Sequence, residues 1–466
     1  MPNVLRTSKA GYNGGMKLTF CGGAKIVTGS NYLLESGDTK ILVDCGLNQG
    51  ESFCEDLNYE QFPYDPREVQ AVFVTHAHID HIGRLPKLVK DGFRGAIYST
   101  EPTNDFALPM LEDTAHLFGE EAAKGGHRPL YDDDDIDRTL GLWQGFAYHK
   151  TVAVGPFSVE FFNAGHILGS SSLVVSVEGK KIVFSGDLGN NPSPLITGTE
   201  YPMDADYALV ESAYGDRIHE DLDKRKEILR EDVQGSVRRG GVLMIPAFAL
   251  ERTQEMLFEL NDMVEKKEIP AVPVFVDSPL AIKLTDVYRK YSQNPLYFNE
   301  GFIDVVRSGG NIFDFPGLTT TLTKEESKKI NDVQPPKIVI AGAGMSNGGR
   351  ILHHEVRYLS DPRSTLLIVG YQSVNSLGRR LLDGERRVEI LGQAVEVKAT
   401  ILSISGYSAH ADQSQLLDWV FRLGKGVKKV FVVQGDGNAS DVLAERIKEK
   451  FSLDVLAPSR GDSVLL

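Results

Sequence analysis

The chain has 466 residues, 41% of them apolar and 24% charged, with a formal charge of −14. That length exceeds one ordinary core and implies two domains, while the lack of any run of about eighteen apolar residues excludes a membrane-spanning helix. The acidic balance excludes a protein that coats nucleic acid nonspecifically, because phosphate neutralisation needs Lys and Arg along the polymer, although a local basic groove stays open.

Residues 1–15 are polar and Gly-rich, without the apolar core of a secretory signal, and read as a flexible tail on a cytoplasmic protein. Cys21, Cys45 and Cys54 are an odd number at no zinc-ribbon spacing, which fits free thiols in a reducing compartment. Short β-rich runs follow at 17–21, 32–35, 41–43, 72–74, 159–162, 173–177 and 182–184. Several end at a polar residue. The run 41–43 meets Asp44, 159–162 leads through Asn163-Ala164-Gly165 to His166, and 182–184 leads through Ser185-Gly186 to Asp187. Strand ends that carry polar residues at one sheet edge make a shared site. After 72–74 comes His76-Ala77-His78-Ile79-Asp80-His81, which holds three of the chain's 11 histidines and a carboxylate. Nitrogen and oxygen donors at that density on one loop are what two adjacent divalent cations require.

From about residue 211 the texture changes. Helical patterns at 221–239 and 251–267 alternate with strand-like runs at 241–246, 272–276 and 337–340, which implies an inserted second α/β unit. The Gly-rich turn 344–349 precedes a helical pattern at 350–359, and such a turn offers free N–H groups to a phosphate, so Ser346, Gly348 and Gly349 are candidate substrate contacts. Runs at 400–404 and 429–433 look like strands again, each followed by a helical pattern. The chain accordingly divides into 1–15, 16–210, 211–390 and 391–466. Arg379, Arg380, Arg386 and Arg387 form the densest positive patch, and residues 132–135 the densest negative one.

The order Asp44, His76-x-His78-x-Asp80-His81, His166, Asp187 resembles the metallo-β-lactamase superfamily. Glu211-Ser212-Ala213-Tyr214-Gly215-Asp216 resembles the motif that opens a β-CASP domain. Asp277-Ser278-Pro279-Leu280, Gly344-Met345-Ser346-Asn347-Gly348-Gly349-Arg350 and Ser408-Ala409-His410-Ala411-Asp412 are similar to further landmarks of the β-CASP ribonucleases, RNA-processing enzymes related to the endonuclease subunit of the cleavage and polyadenylation factor. The resemblance implies an α/β chain, a four-layer αββα metallo-β-lactamase fold with an inserted α/β β-CASP domain. It also implies zinc-dependent hydrolysis of single-stranded RNA by metal-bound hydroxide in an interdomain cleft, as an endo- or exoribonuclease.

Carried over by residue, the resemblance implies that His76, His78 and His166 hold one zinc, that Asp80 and His81 hold a second, and that Asp187 bridges the two. Asp80 would also orient the nucleophile, and Asp44 would fix an imidazole tautomer. His410, paired with Glu211, would protonate the leaving 3′ oxygen, since a carboxylate beside an imidazole favours its charged form. A homodimer is plausible for the family, and no membrane partner is expected. One departure stands out. Where the family usually has His-Gly-Glu, this chain reads Gln434-Gly435-Asp436. An amide oxygen is a neutral and weaker donor, so the second site is expected to bind zinc less tightly or to favour an oxygen-preferring ion such as manganese. A one-metal enzyme, an RNA-binding protein that has lost turnover through Gln434, and a small-molecule metallo-hydrolase are the alternatives that stay open at this point.

Overall fold

The computed structural model describes residues 15–49, 56–220, 222–373 and 375–466; the expected tail, apart from Gly15, and Cys54 lie outside the described residues. Two seven-stranded sheets form the body of the molecule. In the first, neighbours run Ser463–Leu465, Lys17–Gly22, Asn31–Ser36, Thr39–Val43, Ala71–Phe73, Ala96–Thr100, Trp143–Phe146. In the second they run Asp454–Leu456, Lys429–Val432, Tyr207–Val210, Lys180–Phe184, Ser171–Val177, Phe157–Asn163, Thr151–Val154.

The period of two along each strand sets the layers. Ile182, Phe184, Leu209 and Phe431 turn into the large core shared by the sheets, whereas Val183, Ala208, Val210, Val430 and Val432 turn outward. Across the inner layer, Phe20 meets Phe431 at 5.3 Å and Phe73 meets Phe161 at 6.3 Å between ring centroids. Full burial of each such side chain contributes roughly 1.5–3 kcal/mol. On the outer side, Leu416 and Trp419 of the helix Gln413–Arg422 and Leu443 and Ile447 of the helix Gly437–Phe451 cover the second sheet. The helix Glu101–Ala123 lies against the far strands of the first. The result is the four-layer αββα arrangement.

A third sheet, all parallel, runs Leu318–Thr320, Val274–Asp277, Lys337–Ala341, Val242–Pro246, Thr365–Ile368, Thr400–Ser403. Its central strands are unbroken apolar runs because helices cover both faces of a parallel sheet; all five residues of Val242–Pro246 are buried. The strand Thr400–Ser403 pairs with Thr365–Ile368, so the chain leaves this sheet after residue 403, not at the expected 391. A four-residue run of Thr, Ile, Leu and Ser suits either sheet, and only its neighbour decides. The insert is seated firmly on the body: Tyr148 contacts Tyr297 at 5.2 Å, and Phe106 contacts Tyr288 at 5.7 Å.

Strand direction places the site. Thr39–Val43 and Ala71–Phe73 are parallel, as are Lys180–Phe184, Tyr207–Val210 and Lys429–Val432. Phe157–Asn163 is antiparallel to Ser171–Val177, itself antiparallel to Lys180–Phe184, and therefore ends at the same edge. Asp44, His76, His166, Asp187, Glu211 and Gln434 follow those C-terminal ends. Among the described residues, no helix is long and apolar enough to cross a membrane.

Candidate metal centre

The segment 76–81 is held in place by backbone pairing. Cys45 N–H donates to His81 O at 2.9 Å, and Leu47 N–H donates to Ile79 O at 3.0 Å. Gly46 lies between them because nothing larger fits: a Cβ there would stand 1.5 Å from Asp80 O. His76 Nε2 and His166 Nε2 then converge on His78 Nδ1, at 3.1 and 3.2 Å, and lie 3.5 and 3.6 Å from Asp187 Oδ2. A tetrahedral zinc about 2.0–2.1 Å from nitrogen sets its ligand atoms about 3.3 Å apart, so these four atoms fit one ion. Burial pushes His76, His78 and His166 below the ordinary imidazole range, His78 to about 3, which leaves the neutral rings a metal requires.

The tautomers agree with that fit. The Thr75 hydroxyl donates to Asp44 Oδ2 at 2.9 Å and can accept from His76 Nδ1–H at 3.1 Å, which turns the His76 Nε2 lone pair inward. His166 Nδ1–H donates to Ala409 O at 3.2 Å, with the same consequence at its Nε2. Thr75, adjacent to the histidine cluster, escaped sequence reasoning because its role depends on Asp44, thirty-one positions away. Asp44, buried, also accepts from Ser30 Oγ at 2.9 Å and from His81 Nδ1–H at 2.7 Å, so it orients His81 and belongs to the supporting layer.

A second group, Asp80, His81 and Asp187, also brings ligand atoms together. His81 Nε2 lies 3.3 Å from Asp187 Oδ1 and 3.8 Å from Asp80 Oδ2, and burial raises the Asp80 carboxyl to about 6. Gln434 closes this group with its amide nitrogen, 2.9 Å from Asp187 Oδ1 and 3.0 Å from His81 Nε2, whereas the sequence led us to expect its oxygen there. A carbonyl oxygen in that position would meet a carboxylate oxygen with no proton between them. The hydrogen bond to Asp187 therefore uses the N–H end.

His410 stands beside this cluster, its ring 4.5 Å from that of His166. Its Nδ1–H donates to Glu211 Oε1 at 3.2 Å and lies 3.9 Å from Asp187 Oδ2. Burial alone would lower the pKa of His410, but Glu211, Asp187 and Asp80 outweigh it and raise the imidazole to about 9. Glu211 is fully buried and fixed by the N–H groups of Leu188 at 2.7 Å and Ala213 at 3.2 Å. A charged imidazole held that way is a proton donor.

Other residues singled out in the sequence have different employment. Ser346 is buried and gives its hydroxyl to Glu355 at 2.5 Å, so it is not free for a phosphate. Gly349 has a φ of 71°, and a Cβ there would meet Gly342 O at 2.3 Å, which accounts for its glycine; Gly348 borders open space. Asp277 is the hub of the insert: it accepts from Thr321 and Arg350 at 2.7 Å on Oδ1, and from Ser327 at 2.7 Å and His354 at 2.8 Å on Oδ2. Arg379 and Arg380 are paired with Asp383 and Glu385, which reduces the positive patch to the exposed Arg386 and Arg387. The acidic run 132–135 caps the helix Asp133–Leu140 with a capping box.

Two further residues carried no sequence signal. His219 Nε2–H donates to His410 O at 3.0 Å. Glu251 of the insert accepts from Leu168 N–H at 3.3 Å, two residues beyond His166.

Residues 25–223 match the metallo-β-lactamase superfamily, residues 253–381 the Beta-Casp domain, and residues 394–458 the Zn-dependent metallo-hydrolase RNA specificity domain. The chain is similar to Ribonuclease TTHA0252 of Thermus thermophilus, at 37% identity over 421 residues that cover 90% of this chain and 93% of that protein. It is similar to the transcription termination factor FttA of Methanosarcina mazei at 30% identity, across 97% of this chain and 72% of that protein. A crystal structure of a protein of unknown function from Enterococcus faecalis shares the fold, with a TM-score of 0.54 at 13% identity over 97% of this chain and 100% of that one.

Proposed function

The chain belongs to the metallo-β-lactamase superfamily, within its β-CASP ribonucleases, and from that premise we propose that it is a zinc-dependent ribonuclease that hydrolyses phosphodiester bonds of single-stranded RNA. The observation that carries this reading is the convergence of His76, His78, His166 and Asp187 beside the His410–Glu211 pair. When bound, an ion at the four donors supplies Lewis acidity, polarising a phosphoryl oxygen and acidifying a water molecule.

The chain's own residues supply the proton traffic. Asp80, with its carboxyl raised to about 6, is ionised at neutral pH and is suited to receive the proton of an attacking water. His410, charged up to about pH 9, gives its proton to the departing 3′ oxygen. Beside it, the Tyr214 ring lies 6.2 Å from His410 and 5.8 Å from Tyr371, and the Arg217 guanidinium sits 5.7 Å from the Tyr214 ring. Tyr214 is buried and Arg217 is paired with Asp216, so the half-buried Tyr371 ring is the face offered to an unpaired base, as in single-strand binding. The RNA specificity description of residues 394–458 and the ribonuclease name of the Thermus relative support RNA over other phosphodiesters.

A substrate panel tests the reading. The zinc-loaded protein should cleave end-labelled single-stranded RNA, leave a perfect duplex of the same sequence largely intact, and leave thioester and β-lactam substrates unchanged. Turnover confined to the small molecules would replace the ribonuclease reading with that of a small-molecule hydrolase.

A further inference from the structure

The place where a second cation would sit, between Asp80, His81 and Asp187, faces a hydrogen-bond donor. Gln434 Nε2 lies 2.9 Å from Asp187 Oδ1 and 3.0 Å from His81 Nε2. The residue is pinned along its length. Its φ is 51°, its N–H donates to Gly23 O at 2.7 Å, its carbonyl accepts from Ser212 N–H at 3.4 Å, and its side chain packs over Gly23, where a Cβ would meet Gln434 Cγ at 3.2 Å. Only 3% of the residue is exposed.

The two oxygens of Asp187 are thereby divided. Oδ2 lies with the nitrogens of His76 and His166, at 3.5 and 3.6 Å, while Oδ1 receives the Gln434 amide. A cation entering the second group would have to break the hydrogen bond to Asp187 and turn a buried amide end for end. It would then gain only a neutral oxygen donor. The first group asks for no such rearrangement, since its donors already converge.

Resting on the reading of the first cluster as a metal site, we propose that this centre is mononuclear: one ion is held by His76, His78, His166 and Asp187, and the Gln434 amide takes the place of the second. The amide fixes Asp187 by a hydrogen bond and stands 3.0 Å from His81 Nε2.

Metal counting on the full chain tests this independently of RNA cleavage. The protein, loaded with excess zinc and then dialysed, is analysed by elemental mass spectrometry beside Gln434→His and Gln434→Glu, with a thermal melt on each to establish folding. The wild-type chain should retain one ion and each folded variant two, because imidazole offers a lone pair and a carboxylate of glutamine's shape repels Asp187 until a cation lies between them. Manganese-loaded wild type should give the EPR spectrum of an isolated ion, and the variants that of a coupled pair. Two retained ions in the wild type overturn the proposal, as does a stoichiometry that stays at one in both folded variants. No retained ion in any of the three overturns the metal reading beneath it as well.

Discussion

His410 and Thr75 show how single side chains set the chemistry of the centre. The carboxylates around His410 hold its imidazole charged up to about pH 9, so the alkaline limb of kcat/KM should fall through that pH. Glu211→Gln removes the nearest carboxylate and should move the limb down toward the ordinary imidazole value of about 6.5, and an unmoved limb would count against His410 as the proton donor. The same raised pKa contributes stability that is full below the unfolded value near 6.5 and is lost as pH rises through about 9. His410→Ala should cost about 10²–10⁴-fold in rate with the metal content unchanged. Thr75 acts through its neighbours. Thr75→Val removes the hydroxyl shared by Asp44 and His76 and should weaken metal retention about 10–100-fold, measured by competition with a chelator.

The strand ends and loops that present these side chains are held by close approaches and buried charge. Gly46→Ala would drive a methyl group into Asp80 O and should cost about 1–3 kcal/mol or more, read as a lower urea midpoint. Asp277→Ala would leave His354 without its carboxylate and Arg350 with the carbonyls of Thr321 and Leu322, and should cost about 1–3 kcal/mol for each buried donor left unpaired, with the insert opening before the metal-bearing body. Much of the site was legible because apolar runs that terminate at Asp44, His166 and Asp187 are strands whose ends share an edge. What escaped was long-range pairing. Nothing near Ser346 reveals that its hydroxyl goes to Glu355 inside the insert, so the Gly-rich turn looked like a phosphate cradle. Nothing near residue 400 reveals which sheet it joins. The contact of the Gln434 amide with Asp187 joins two strands distant in sequence and separated in the sheet by Tyr207–Val210 alone.

At the scale of the whole molecule, a chain of charge −14 binds a polyanion only through local cations. Arg386 and Arg387, both exposed on the insert, are the local cations left to the positive patch. Binding of single-stranded RNA should weaken with salt at a slope of about −0.7 per phosphate contact, and Arg387→Ala should reduce the slope by about one such contact. Glu251 links the two units where it matters most, from the insert to the loop that follows His166. The centre at His76, His78, His166 and Asp187 is tested most directly by chelator-stripped protein incubated with end-labelled single-stranded RNA, before and after zinc is restored, with His166→Ala alongside. The stripped protein should leave the RNA whole, zinc should restore cleavage, and His166→Ala should stay inert; cleavage at the wild-type rate by stripped protein or by His166→Ala would contradict the account.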